Sequence, residues 1–265
     1  MRRENGDLLC NHKYAIMINE VENLLDIDKA EFEKVFTPNI RRVIHAVRQY
    51  GFDIRVVGGA VRDFMRGKPP RDVDFATDAD PSELIYIFQL EGIDYDAKGI
   101  SHGTVKAKFG DDKIDVTSIG FRIEHDDQSI TVSRGMSWEQ DALNRDITIN
   151  SLSLDLNGKI HDYVDGLEDL KNQTVRFNPK TLVHIKDDPH LIMRWFKALG
   201  MFETPRWIRS DWETIKKNMP VLSRIKDEEK TEREITSIMR GHNARKILRI
   251  MCKHGANEYL NLTCD

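Results

Sequence analysis

The chain has 265 residues, of which 32% are charged, with a formal net charge of −4 and three cysteines. This length fits one large domain or two small ones, while no apolar run approaches the roughly 20 residues of a membrane helix and no secretory signal pattern opens the sequence. Because Cys10, Cys252 and Cys264 are few and scattered, we expect no disulfide framework and a location in the reducing cytoplasm.

The first part of the chain alternates predicted helices and strands. Residues 1–38 have no strong hydrophobic period and are interpreted as an N-terminal arm. Apolar residues at spacings of three and four predict a helix over 39–50, and a β-branched run predicts a strand over 54–57. A glycine pair then leads into a helix predicted over 60–65, and alternation predicts a strand over 72–76.

A predicted hairpin dominates the next segment. A proline at a helix start predicts a helix over 81–89. Two runs with strand character, 103–109 and 113–119, are joined by a Gly-Asp-Asp turn and predict the hairpin. Residues 122–136 are polar and are interpreted as a loop that holds at most a short strand, and a helix is predicted over 138–143.

Both the pattern and the charge change after Pro179. Residues 1–179 carry 23 Lys and Arg against 32 Asp and Glu, a net of −9, whereas residues 180–265 carry 17 against 12, a net of +5. We therefore predict an α+β domain over 39–180 and an all-helical domain over 181–265. The helices predicted after Pro179 cover 187–200, 211–218, 230–240 and 243–254.

A pair of carboxylates is the first chemical signal. Asp72 and Asp74 are two residues apart in a predicted strand, so their side chains point to the same face. Such a pair repels unless a cation neutralises it, and Mg²⁺ prefers oxygen ligands. Asp115 adds a third carboxylate if its strand is a neighbour, and three carboxylates can hold two metals about 3.5–4 Å apart. On its own, the pair is also typical of a solvated strand end.

A glycine turn just upstream is the second signal. Gly58 and Gly59 precede a predicted helix, and paired glycines let a backbone approach a phosphate closely. Arg62, one turn into the helix, is placed to bind a phosphate. The alternative is a tight turn that needs only small residues. Together with the carboxylates, the turn predicts a site for a nucleoside triphosphate and Mg²⁺.

The segment VVGGAVRDFMRGKPPRDVDFAT (56–77) resembles the signature of the class II tRNA nucleotidyltransferase and bacterial poly(A) polymerase family. Four further segments agree in order: SHGTVKAKF with KIDVTSIGFR, QDALNRDITINSLSLD, IHDYVDGLEDLKNQTVRF and IKDDPHLIMRWFKALGMF. The resemblance implies an α+β, polymerase-β-like nucleotidyltransferase head followed by a helical neck. It also implies CTP and ATP as substrates, two Mg²⁺ ions, and the 3′ end of tRNA or another RNA as partner.

Residue roles follow from the same resemblance. Asp72, Asp74 and Asp115 match the catalytic metal-binding positions. The matching nucleotide-binding positions are Gly58, Gly59, Arg62, Arg145, Asp146, Asp187, Asp188, Arg194 and Lys197. Separately from the resemblance, a run of basic residues in the last helices predicts a surface for RNA phosphates, with a solvated helix face as the alternative. Its residues are Arg240, Arg245, Lys246, Arg249 and Lys253.

Some positions depart from the family pattern. Leu191 stands where relatives have an arginine that reads the edge of the incoming base, and Asp187 stands where Glu is usual. The 122–136 segment lacks the element implicated in switching from C to A addition. From the resemblance we expect CCA addition or repair on tRNA. The departures leave poly(A) or A-only addition as the first alternative and a non-catalytic RNA- or nucleotide-binding remnant as the second. Trp195 and Trp207 are interpreted as core residues.

Overall fold

The computed structural model describes residues 35–70, 72–126, 129–133, 135–226, 228–260 and 262–264. The predicted arm over 1–38 therefore lies almost entirely outside the described residues. The chain divides into two compact units, one formed by Met1–Asp141 with Leu152–Asp162 and the other by Ala142–Ser151 with Tyr163–Asp265. Within the described ranges, no helix is long and apolar enough to cross a bilayer.

The first unit is built on a mixed sheet of seven strands in the order β3-β4-β5-β2-β1-β8-β9. The pair β2–β5 is parallel, and the other neighbours in this sheet are antiparallel. The strands of the unit, including a separate hairpin, are β1 (Ile54–Val57), β2 (Asp74–Thr77), β3 (Asp94–Asp96), β4 (Thr104–Phe109), β5 (Asp112–Ser118), β6 (Arg122–Asp126), β7 (Ser129–Ser133), β8 (Ser153–Leu154) and β9 (Ile160–His161).

The helices of this unit begin at clear sequence signals. Helix α1 (Pro38–Gln49) has proline in its first turn, and the Thr37 side chain accepts a hydrogen bond from the backbone N–H of Ile40. Helix α2 (Gly59–Met65) follows β1 directly. Helix α3 (Pro81–Leu90) opens with a reciprocal capping box between Asp80 and Glu83. Helix α4 (Trp138–Asn144) begins in this unit and ends in residues of the second unit.

Along strands β4 and β5, one face of the sheet is buried and the other is more open to solvent. Val105 and Ala107 of β4 and Val116 of β5 are fully buried. The intervening residues, among them Lys106 and Asp115, are only partly buried because successive side chains of a strand point to opposite faces. The open face therefore presents polar groups of neighbouring strands to each other.

The hairpin β6–β7 differs from the loop predicted over 122–136. The two strands pair in register from Arg122 with Ser133 to Asp126 with Ser129, apart from the seven-stranded sheet. A separate two-stranded ribbon does not require an alternating apolar face, so the hydrophobic pattern gave little signal for it.

The second unit is largely helical and encloses an aromatic core. Trp195 is fully buried and stacks on Trp212 at a centroid distance of 5.7 Å, with Phe196 and Trp207 edge-on to it. The interpretation of Trp195 as core is thus confirmed. The elements are α5 (Gly166–Lys171), β10 (Thr174–Val175), α6 (Pro179–Leu182), α7 (His190–Gly200), β11 (Arg206–Trp207), α8 (Arg209–Asn218), α9 (Glu229–Met239), α10 (Ala244–Lys253) and α11 (Ala256–Tyr259).

The division into units differs from the boundary predicted near residue 180. Asn178, fully buried, donates from Nδ2 to the backbone oxygen of Arg145 at 2.7 Å and to Ser151 Oγ at 2.8 Å. The Thr148 hydroxyl donates to Asp169 at 2.6 Å. These long-range bonds join 142–151 to the segment that follows residue 163, and a change in hydrophobic period cannot reveal them.

A disulfide contradicts the expectation drawn from the cysteine count. Cys252, near the end of α10, is bonded to Cys264, with 5.9 Å between the Cα atoms. The expectation was wrong because three scattered cysteines do not reveal which two lie within bonding distance.

Candidate active site

The glycine turn lies between β1 and α2, as the sequence predicts. Gly58 has φ 71° and ψ −132°, a conformation that strongly favours glycine. Its backbone N–H donates to the carbonyl of Leu152 at 3.2 Å, which ties the turn to the start of β8. The turn therefore needs glycine for its geometry, whether or not a phosphate binds there.

Arg62 folds back over this turn. Its Nε donates to Asp63 Oδ1 at 2.9 Å and its terminal nitrogen donates to Oδ2 at 3.1 Å. A Cβ at Gly59 would lie only 3.3 Å from that terminal nitrogen, so a side chain at Gly59 would crowd the guanidinium. Asp63 therefore pairs with Arg62.

Asp72 and Asp74 lie at the entry to β2, and both are exposed. The strand begins at Asp74, so Asp72 precedes it rather than lying inside it as predicted. Strand β2 runs parallel to β5 with Phe75 beside Val116. Continuing that register by one residue places Asp74 beside Asp115, as the prediction of neighbouring strands requires.

Asp115 is engaged by a lysine that the sequence analysis did not single out. Lys106 Nζ lies 2.7 Å from Asp115 Oδ1 and 2.5 Å from Oδ2. The two residues are direct partners in the antiparallel register of β4 and β5. This pairing could have been predicted from the sequence, because the short turn at Gly110 fixes the register of the hairpin and places Lys106 opposite Asp115.

The predicted carboxylates differ in how well they are placed to bind a divalent metal ion. Carboxylate oxygens are suitable ligands for Mg²⁺, and Asp72 and Asp74 offer them at an exposed strand end. Among the residues that the structure describes, however, no group of three or more His, Cys, Asp or Glu side chains is placed to hold a metal ion together. The donor chemistry fits one ion at the Asp72–Asp74 pair, and the metal role of Asp115 stays a prediction.

A second set of predicted residues meets in the helical unit. Arg194 of α7 hydrogen-bonds to Asp188, just before the helix, and reaches Asp146 Oδ2 at 3.4 Å. The Arg194 side chain is 33% exposed and that of Asp188 43%, so the group faces solvent. A carboxylate acceptor and a guanidinium donor thus lie side by side.

The remaining predicted nucleotide positions are placed less specifically. The backbone oxygen of Arg145 accepts hydrogen bonds from Asn178 and Thr181, which fixes the chain next to Asp146. Asp187 and Lys197 are exposed. Leu191, at the position of the family's base-reading arginine, is buried with 4% exposure. The structure brings Asp146, Asp188 and Arg194 together and leaves Asp187 and Lys197 on the surface.

His190 is a further residue that the sequence analysis did not identify as important. The ring is buried at the start of α7, with Nδ1 2.9 Å from Glu234 Oε2 and Nε2 2.8 Å from Glu228 Oε2. Its backbone N–H donates to Asp188 Oδ1 at 3.1 Å. The side chain therefore fastens α7 to the start of α9, next to the Asp188–Arg194 pair.

The predicted RNA-binding residues form an exposed basic surface on α10. Ile247 and Met251 face the core, whereas Arg245, Lys246, Arg249 and Lys253 are exposed. Those four residues line a surface depression of about 610 Å³, together with His242, Asn243, Ala244 and Ile250. Arg240, at the end of α9, is exposed and is not part of this lining.

Comparison with known proteins gives a family match that covers parts of both units. Residues 54–176 match the model of the poly A polymerase head domain. The chain is 34% identical over 244 residues to the mitochondrial CCA tRNA nucleotidyltransferase 1 of Danio rerio, covering 91% of this chain and 56% of that protein. It is 42% identical over 167 residues to the CCA-adding enzyme of Enterococcus faecalis, covering 61% of this chain and 39% of that protein.

Comparison with solved structures gives the same family as the sequence comparison. The crystal structure of the Bacillus stearothermophilus CCA-adding enzyme in complex with CTP superposes with a TM-score of 0.71 at 29% identity, covering 84% of this chain and 54% of that one. The predicted family resemblance and the predicted α+β fold, a nucleotidyltransferase head followed by helices, are confirmed. The chain spans about half the length of the relatives it matches.

Proposed function

We propose that this chain, whose residues 54–176 belong to the poly A polymerase head-domain family, is a template-independent nucleotidyltransferase that adds CMP and AMP to the 3′ end of tRNA. The observation that carries the proposal is the run β1–turn–α2–β2, in which the Gly58 turn, Arg62 and the Asp72–Asp74 pair follow one another. The names of the relatives, CCA tRNA nucleotidyltransferase and CCA-adding enzyme, support the same activity.

The reaction we propose is a single displacement at phosphorus. The 3′-oxygen of the RNA forms a bond to the α-phosphorus of CTP or ATP, the bond from that phosphorus to the bridging oxygen breaks, and pyrophosphate leaves. The hydroxyl proton passes to solvent. Mg²⁺ held by Asp72 and Asp74 would lower the pKa of the attacking hydroxyl and neutralise phosphate charge. Arg62 and the N–H groups that begin α2 are suited to bind the triphosphate.

The base-reading part of the proposal rests on Asp188 and Arg194. A carboxylate next to a guanidinium offers an acceptor and donors, which suit the amino group and the ring nitrogen of cytosine or adenine. Leu191 is buried and cannot offer a donor to a base. We therefore assign base selection to Arg194, three residues further along α7. Arg145, Asp146, Asp187 and Lys197 are retained as proposed nucleotide contacts.

Substrate binding at the RNA side is assigned to the exposed basic surface on α10. Four cations on one helix face suit a phosphate backbone, whose binding depends on charge. The residues proposed for RNA are Arg240, Arg245, Lys246, Arg249 and Lys253.

The test is an incorporation assay with 3′-end sequencing. The full chain is incubated with Mg²⁺ and a tRNA transcript that ends at the discriminator base, with CTP alone, ATP alone, or both. We expect added CC with CTP alone and CCA with both nucleotides. Asp188→Asn should alter the choice between C and A, whereas Asp111→Asn, in the exposed β4–β5 turn, should leave the product unchanged.

The second candidate is A-only or poly(A) addition. It is favoured by Leu191, because a buried aliphatic side chain replaces the arginine that reads the base in the resembled family. In the same assay this candidate predicts products that contain only added A, which would overturn CCA addition. No incorporation of either nucleotide would overturn both and leave the non-catalytic RNA- or nucleotide-binding remnant.

For location we propose the cytoplasm, on the ground of the low cysteine content. The Cys252–Cys264 disulfide is atypical of a reducing compartment, and the vertebrate relatives are named mitochondrial. Fractionation of cells that express the tagged chain decides the point, since recovery with mitochondria or with secreted protein would contradict it.

A further inference from the structure

On the open face of the seven-stranded sheet, one lysine contacts Asp115, the third carboxylate that the sequence predicts as a metal ligand. Lys106 of β4 lies directly opposite Asp115 of β5, and its ammonium contacts both carboxylate oxygens, at 2.7 and 2.5 Å. Asp74 follows on β2 in the same row of the sheet. A cation is thus already placed at the third carboxylate of the proposed site.

The contact is specific to Asp115. Lys106 has two acidic partners in register, Asp96 on β3 and Asp115 on β5, and both carboxylates lie within the reach of a lysine side chain. The ammonium is bonded to Asp115. The Asp96 carboxylate instead accepts the backbone N–H of Lys98, and that hydrogen bond holds the pKa of Asp96 below its usual value.

An ammonium on both oxygens of a carboxylate competes with a divalent ion for the same electrons. The described residues contain no set of three ligands placed around one ion, which agrees with Asp115 being engaged elsewhere. Resting on the proposed function, we infer that Lys106 is a positioning residue. It holds Asp115 toward β4 and supplies at that carboxylate the positive charge that a second divalent ion would otherwise supply.

It follows that a divalent ion bound at Asp72 and Asp74 is not shared with Asp115 while Lys106 is in place. Removing the ammonium frees the carboxylate and adds net negative charge beside the ion. Divalent ions should then bind more tightly, by about threefold or more. That gain must depend on Asp115, because Asp115 is the group that Lys106 neutralises.

The test is a double-variant cycle on Mn²⁺ affinity, measured on the full chain by the electron paramagnetic resonance signal of free Mn²⁺. We expect Lys106→Met to tighten Mn²⁺ binding by about threefold or more, Asp115→Asn to weaken it by about threefold because the ammonium is then uncompensated, and the double variant to match the parent chain. Lys106→Arg keeps the cation and should match the parent chain. Lys108→Met is the matched control, since it removes the same charge two residues along the same face of β4.

Three results would overturn the inference: equal Mn²⁺ affinity for Lys106→Met and the parent chain, a loss of about tenfold or more in Asp115→Asn, as the loss of a metal ligand would give, or no Mn²⁺ bound by the parent chain. Equal melting temperatures among the variants show that each is folded. The cycle does not measure turnover, so it is distinct from the incorporation assay. Loss of incorporation with an intact cycle would contradict the proposed function and not the role of Lys106.

Discussion

Replacing His190 by alanine should destabilise the helical unit strongly. The imidazole side chain is 7% exposed and lies between two carboxylates, Glu234 at 2.9 Å and Glu228 at 2.8 Å. Each ring nitrogen lies at hydrogen-bond distance from a carboxylate oxygen, so the ring joins α7 to Glu228 and Glu234.

The expected size follows from the burial of the two partners. Glu234 is 11% exposed, and removing the partner of a buried charge costs about 3–5 kcal/mol. Glu228 is 51% exposed, so its bond adds at most about 1 kcal/mol. We therefore expect His190→Ala to lower the free energy of unfolding by about 3–6 kcal/mol.

Urea unfolding followed by tryptophan fluorescence measures this change, because buried Trp195 lies on the same helix as His190. His184→Ala is the control: that side chain is 66% exposed, 3.8 Å from Asp187, and its loss should cost less than about 0.5 kcal/mol. Adding Glu234→Gln to His190→Ala should recover about 1 kcal/mol or more, since no buried charge then remains unpaired. A cost below about 1 kcal/mol for His190→Ala would refute the reasoning.

Three further predictions concern the same unit. Burial raises the pKa of Asp211, so the native state binds that proton more tightly than the unfolded chain, and this contribution to stability is lost as the pH rises through the raised pKa. The stability of Asp211→Asn relative to the parent chain should therefore increase between about pH 4 and about pH 7 in urea titrations, and a decrease would contradict it. Cys264→Ser opens the loop closed by Cys252 and should lower the free energy of unfolding by about 2–3 kcal/mol, whereas an unchanged denaturation midpoint would exclude a stabilising disulfide. Replacing Arg249 and Lys253 by alanine should reduce the slope of log tRNA affinity against log salt by about 2, and an unchanged slope would exclude these phosphate contacts.

The local elements of the first unit could be predicted because their signals are short-range. The β-branched run gave β1, and alternation with a short turn gave β4 and β5. The glycine turn at Gly58 followed from its place between a strand and a helix. Asp72 falls outside β2 because the end of a strand depends on its pairing partners, and a pattern of side chains does not contain them.

The features that were missed depend on contacts between distant residues. Asn178 joins segments more than 25 residues apart, so no local pattern marks the division between the units. The partners of His190 lie 38 and 44 residues away, at the N-cap of α9 and within α9. Lys106 was missed for a different reason: the hairpin was predicted, but its register was not followed to the residue opposite Asp115.

The Asp72–Asp74 pair is tested most directly by single-turnover incorporation of labelled CMP into a tRNA transcript that lacks its 3′ CCA. With Mg²⁺ present, the variant carrying both Asp72→Asn and Asp74→Asn should incorporate CMP at least about a thousandfold more slowly than the parent chain, while its melting temperature stays the same. Asp111→Asn, which removes one exposed carboxylate from the β4–β5 turn, should retain the parent rate. Incorporation by the double variant at the parent rate would contradict a metal-dependent nucleotidyltransferase site at these two carboxylates.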